Sequence, residues 1–89
     1  MKSLPYLVTG VEVLGDYRLR LSFEDGTLGD LDLSGREWRG VFAPLSDPSY
    51  FRKVRYDPEG RTIVWPNGAD LAPETLYTWV TQGVEAASI

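Results

Sequence analysis

Between Tyr6 and Leu33 apolar and polar residues alternate, broken by two short turn signals, and this leaves the stretch few ways to fold. Tyr6 to Val13 and Tyr17 to Phe23 are predicted as strands, with Val11, Val13, Leu19, Leu21 and Phe23 on one set of faces. Placing both apolar sets on the same side sets Val13 opposite Tyr17 and Val11 opposite Leu19 across a Leu14-Gly15-Asp16 loop; a Gly15-Asp16 loop would pair Val13 with Arg18. Glu24-Asp25-Gly26 fits a type I turn followed by glycine in the left-handed region. That second register sets Leu19 opposite Leu31, Arg20 opposite Asp30 and Arg18 opposite Asp32, while the first hairpin adds Glu12 opposite Arg18. One apolar face and one charge-matched face emerge together, which predicts an antiparallel three-stranded meander.

The rest of the chain predicts helices beside a second hairpin, and so an α+β fold. Ser34 to Pro44 loses the alternation at Gly35, Gly40 and Pro44 and reads as an irregular turn whose Trp38 and Phe42 cover an edge of the core. A short helix starts with Asp47 as N-cap and Pro48 at the first position, runs to about Lys53, and is anchored by Tyr50 and Phe51. Val54 to Tyr56 and Thr62 to Trp65 flank the turn Asp57-Pro58-Glu59-Gly60 as a second β-hairpin. Pro66-Asn67-Gly68 makes a tight turn, Ala69 to Leu71 is a short extended piece, and Pro73 opens a C-terminal helix packed on the sheet. Leu76, Tyr77, Val80 and Val84 recur there at helical spacing, Gly83 is its expected cap, and Ala86 to Ile89 is expected to fray. With 89 residues there is material for one modest core, so residues 1–89 are read as a single domain without a linker.

Composition bears on function chiefly by exclusion. The chain has no Cys and no His, which removes thiolate and imidazole chemistry, the usual zinc ligands and any disulfide. No glycine-rich phosphate loop is present, since Gly26-Thr27-Leu28-Gly29 belongs to a hairpin. No catalytic residue, metal ligand or cofactor is assigned, although acid–base chemistry by Asp and Glu alone stays open. The net charge of −4 and arginines interleaved with acids set nucleic acid aside as a partner, because phosphate affinity comes from clustered Lys and Arg. MKSLPYLV is too short and too interrupted for a secretory core or a membrane span, so a cytoplasmic location is expected.

Phe23-Glu24-Asp25-Gly26 leading to Leu31-Asp32-Leu33, then Asp47 to Phe51, and finally Trp65-Pro66-Asn67-Gly68-Ala69-Asp70-Leu71-Ala72-Pro73 with Leu76-Tyr77, resemble the bacterial Domain of Unknown Function 2442 family. The resemblance covers nearly the whole chain and implies a small α+β domain without an assigned activity. It also implies company: some such domains are fused to a helix-turn-helix, and some are encoded beside another small protein in toxin–antitoxin-like arrangements. No helix-turn-helix pattern is read here. The resulting expectation is a non-catalytic protein-interaction or regulatory module whose partner is another small protein or a second copy.

Four side chains are the candidate binding residues. Asp70 lies between Ala69 and Leu71 just before the last helix, where a carboxylate binds a cation, shuttles a proton, or accepts hydrogen bonds from free turn and helix amides. Trp65, Tyr77 and Trp79 either fill the core or line a partner-binding patch, and three Trp are many for a core this small. A small-molecule or metal-binding domain built on Asp70 and these aromatics is the alternative function. Asp25, Asp30 and Asp32, with Glu12 and Glu24, would suit a hard cation but read first as the acidic half of a charge-matched sheet face.

Overall fold

The computed structural model describes residues 4–82. Strands β1 (Val8–Gly15), β2 (Arg18–Phe23) and β3 (Leu28–Asp32) form the expected antiparallel meander, with β2 in the middle. A 3₁₀ helix over Gly40–Ser46 and the one-turn helix α1 (Pro48–Phe51) follow. The chain then enters β4 (Arg55–Asp57), β5 (Thr62–Val64) and β6 (Asp70–Leu71), a second antiparallel sheet in sequence order, and ends in α2 (Pro73–Gln82). The fold is thus α+β, and the extended piece after the Pro66-Asn67-Gly68 turn is a third strand on the second hairpin, with Ile63 opposite Leu71 and Val64 opposite Asp70.

The β2–β3 register is the one read from the turn: Leu19 faces Leu31, Arg20 faces Asp30 and Arg18 faces Asp32. Gly26 has φ 91° and donates its N–H to the Phe23 carbonyl at 2.9 Å, a conformation most side chains disfavour. The β1–β2 register differs from expectation. Val11 faces Leu21, Val13 faces Leu19 and Glu12 faces Arg20, because the turn is made by Asp16 and Tyr17 and Leu14 is an extra residue between Val13 and Gly15. Tyr17 is not a strand residue at all. It takes φ 61°, donates its O–H to the Leu45 carbonyl at 2.7 Å and packs on Phe51 at 4.9 Å between ring centroids. The bulge restores the side-chain parity that a two-residue turn would have broken, so the apolar face survives the shift.

Helix α1 stops at Phe51, short of Lys53, because Phe51 is fully buried and the chain must turn at once so that Arg55 can pair with Val64. Its start is as expected: Asp47 accepts the Ser49 N–H at 2.9 Å and Pro48 holds the first helical position. The inner face of the meander (Leu19, Leu21, Leu31), Phe51, Ile63, Trp65 and the α2 residues Leu76 and Trp79 form one core, each such aliphatic or Phe side chain contributing about 1.5–3 kcal/mol by burial. Helix α2 lies close on β3: a Cβ at Gly29 would meet Val80 Cγ1 at 2.2 Å. The two sheets join where the Val8 N–H donates to the Arg61 carbonyl at 2.9 Å. No helix of the described residues is long and apolar enough to cross a membrane. The expected cap Gly83, Val84 and the tail Ala86 to Ile89 lie outside the described residues.

Candidate functional site

The turn between β5 and β6 is built from its own side chains. Gly68, at φ 88°, donates to the Trp65 carbonyl at 2.9 Å, and the Trp65 N–H donates to the Ala69 carbonyl at 2.8 Å. Asn67 then ties the turn to its surroundings in three directions. Its Oδ1 accepts from Ala69 N–H at 3.0 Å, its Nδ2 donates to the Val41 carbonyl at 2.9 Å, and its backbone N–H donates to the Tyr50 hydroxyl at 3.0 Å. Beneath it Trp65 is fully buried, its indole N–H donating to the Phe51 carbonyl at 3.0 Å. The turn, the 3₁₀ helix and α1 are therefore one connected unit.

The other candidate residues sit in separate surroundings. Tyr77 stands edge-on to Phe23 at 5.1 Å and donates its O–H to Asp25 Oδ2 at 2.5 Å, fastening α2 to the β2–β3 turn. That bond, with the Thr27 amide donating at 2.9 Å, holds the Asp25 carboxyl below the usual carboxylate range. Trp79 is 5% exposed and its indole N–H has no partner among the described residues, while the Arg36 guanidinium lies 4.5 Å from its ring centroid. Asp70 is exposed in β6 opposite Val64, and among the described residues neither a hydrogen bond nor an ion pair reaches its carboxylate. Each of Trp65, Tyr77 and Trp79 contacts a different set of neighbours, so the structure does not gather them with Asp70 into one cleft. No pocket opens among the described residues.

Asp25, Asp30, Asp32 and Glu24 are individually engaged, and Glu12 is exposed in β1. Arg20 grips Asp30 with two bonds, Nε to Oδ1 at 2.8 Å and Nη2 to Oδ2 at 3.2 Å, and this contact lowers the Asp30 pKa. Asp32 accepts the Ser34 N–H at 2.9 Å, which lowers its pKa too, and Glu24 pairs with Arg61 at 2.9 Å. Among the described residues no three acids converge on a point where a cation could sit.

A feature passed over in the sequence is basic. Arg52, Lys53 and Arg55 fall within four residues and are all exposed, at the end of α1 and the start of β4. Arg52 reaches back to Asp16 Oδ1 at 2.9 Å, and Lys53 Nζ lies 5.9 Å from the Tyr50 ring centroid. The signal was Arg52-Lys53-Val54-Arg55 itself, three cations in four positions. A net charge summed over the whole chain hides it.

A family model described as a protein of unknown function (DUF2442) matches residues 8–82. No curated protein matches the chain. A solved structure from Nitrosomonas europaea, described as a putative DNA binding protein, shares the fold with a TM-score of 0.69 at 27% identity. The likeness covers 88% of this chain and 50% of the other, so the chain spans about half the length of that protein. This overturns the expectation that a small protein or a second copy is the partner and that nucleic acid is set aside: the fold occurs within a protein described as a putative DNA binding protein. The error was to treat charge as an average, when phosphate contact depends on where cations are placed.

Proposed function

The chain belongs to the DUF2442 family of proteins of unknown function, and on that footing we propose that it is a non-catalytic regulatory module that works on DNA. One observation carries the reading: the fold likeness, over 88% of this chain, to a solved protein described as a putative DNA binding protein. Because the likeness spans half of that protein, the module contributes to a larger DNA-bound unit rather than supplying the whole of its affinity. The non-catalytic part of the reading is supported by the lack of Cys and His and by meander carboxylates occupied with neighbouring donors. A net charge of −4 repels a duplex at long range, so contact is local, weak and sensitive to salt.

Fluorescence anisotropy of a labelled mixed-sequence duplex, titrated with the full chain at low salt, tests the proposal. Saturable binding that weakens with added salt is expected, the dissociation constant rising into the non-specific range of about 10⁻⁴ to 10⁻⁶ M as salt nears physiological strength. A flat titration at the lowest salt and highest protein concentration would sink it.

A further inference from the structure

We infer that Arg52, Lys53 and Arg55 form the face that meets the phosphate backbone. The inference rests on the DNA reading above and assigns it a surface. Among the described residues, Arg20, Arg39 and Arg61 are held in ion pairs with Asp30, Glu37 and Glu24. Arg36 lies over Trp79, and Arg18 stands opposite Asp32 in the β2–β3 ladder. Like Arg18 and Arg36, Lys53 and Arg55 are exposed with no carboxylate within ion-pair distance among the described residues, but these two stand two positions apart and beside a third exposed cation. Arg52 adjoins them, and both of its bonds to Asp16 end on the same oxygen, Oδ1, in an exposed pair that a phosphate can replace.

The surroundings favour an anionic ligand over release of these charges to solvent alone. Asp57, the acid nearest in sequence, lies two positions along β4 from Arg55 and accepts the Glu59 N–H at 3.0 Å without reaching ion-pair distance of Arg55, while Asp47 is committed to the start of α1, accepting from both the amide and the hydroxyl of Ser49 at 2.9 and 2.8 Å. Asp70 lies two strands from Arg55 across β5, about 10 Å away at ordinary strand spacing. Arg55 is set on its face of β4 by its pairing with Val64, and Lys53 lies in the chain between α1 and β4, whose preceding Phe51 is anchored in the core. The three cations are thus presented on a rigid base, the arrangement that positions a protein on a duplex without reading its sequence.

Salt dependence tests the assignment, since each neutralised phosphate contributes about 0.9 to the slope of log affinity against log salt. With three contacts, affinity falls about 40-fold between about 50 and about 200 mM salt. A Lys53→Ala/Arg55→Ala double variant, left with Arg52, is expected to fall only about 3- to 4-fold over the same range. Arg39→Ala, elsewhere on the surface, is expected to keep the full slope. Should the double variant bind with the wild-type slope, the surface is wrong while DNA binding stands; if the unaltered chain binds no duplex, both fall together. Amide shifts of the unaltered chain on adding duplex give a second readout independent of variant folding. Changes centred on residues 50–55 support the assignment, and changes centred elsewhere overturn it.

Discussion

Tyr77 and Asp25 lie 52 positions apart, and their single hydrogen bond at 2.5 Å is the polar tie between α2 and the β2–β3 turn. Because the Asp25 pKa is lowered on folding, first by Tyr77 and then by Thr27, the folded state binds its proton less readily than the unfolded chain does. The stability from this bond is therefore full above the ordinary carboxylate value of about 3.9 and is lost as pH falls through the lower folded value. Thermal midpoints followed by circular dichroism should drop on the acid side, and Tyr77→Phe should shrink that drop while lowering the midpoint at neutral pH by a few degrees. Parallel pH curves for the two proteins would show that Asp25 owes its shift to something else. None of this was legible in the sequence. Tyr77 showed as a helix-face aromatic and Asp25 as a turn residue, and nothing local to either announces a partner half a chain away. Asp70 drew attention because it sits between apolar neighbours, yet its strand turns it to solvent. Alternation decides exposure, and a two-residue strand is too short to display it.

Secondary structure followed the sequence at two places that had a chemical signature. Gly26 after Glu24-Asp25 fixed the β2–β3 register, and Asp47-Pro48 fixed the start of α1. At the β1–β2 turn the Gly15-Asp16 signal misplaced the turn by one residue, because a Tyr at positive φ is a rare choice whose reason, the Leu45 carbonyl and the Phe51 ring, lies far along the chain. Similarly, α2 was legible as a helix from its spacing, but how closely it lies on the meander was not. Gly29 is what permits that approach, since a methyl group there would intrude to 2.2 Å from Val80 Cγ1. Gly29→Ala is expected to destabilise by about 1–3 kcal/mol through overpacking. Urea unfolding of a Gly29→Ala/Val80→Ala pair should show coupling of at least about 0.5 kcal/mol, the smaller residue at 80 relieving the clash. Strict additivity of the two changes would mean that α2 simply moves away.

For the molecule as a whole, one core joins both sheets and α2, so the architecture was set by apolar patterning and was readable in advance. Function was less so, because charge works through placement: a chain of net charge −4 still carries three exposed cations, Arg52, Lys53 and Arg55, within four positions. Placement has a second consequence at the far side of the first sheet. Strand β3 is one edge of the meander, with no strand beyond it among the described residues, and exposed Asp30 and Asp32 stand along it. Two such edges laid antiparallel would bring carboxylates face to face, a pairing that like charges oppose. Light scattering on concentrated Asp30→Asn/Asp32→Asn should report growing particles where the unaltered chain stays dispersed; equal behaviour would assign dispersal to some other part of the surface. The acids that looked like half of a charge-matched face are thus also a colloidal safeguard, keeping an open ladder of backbone amides and carbonyls from templating the next copy.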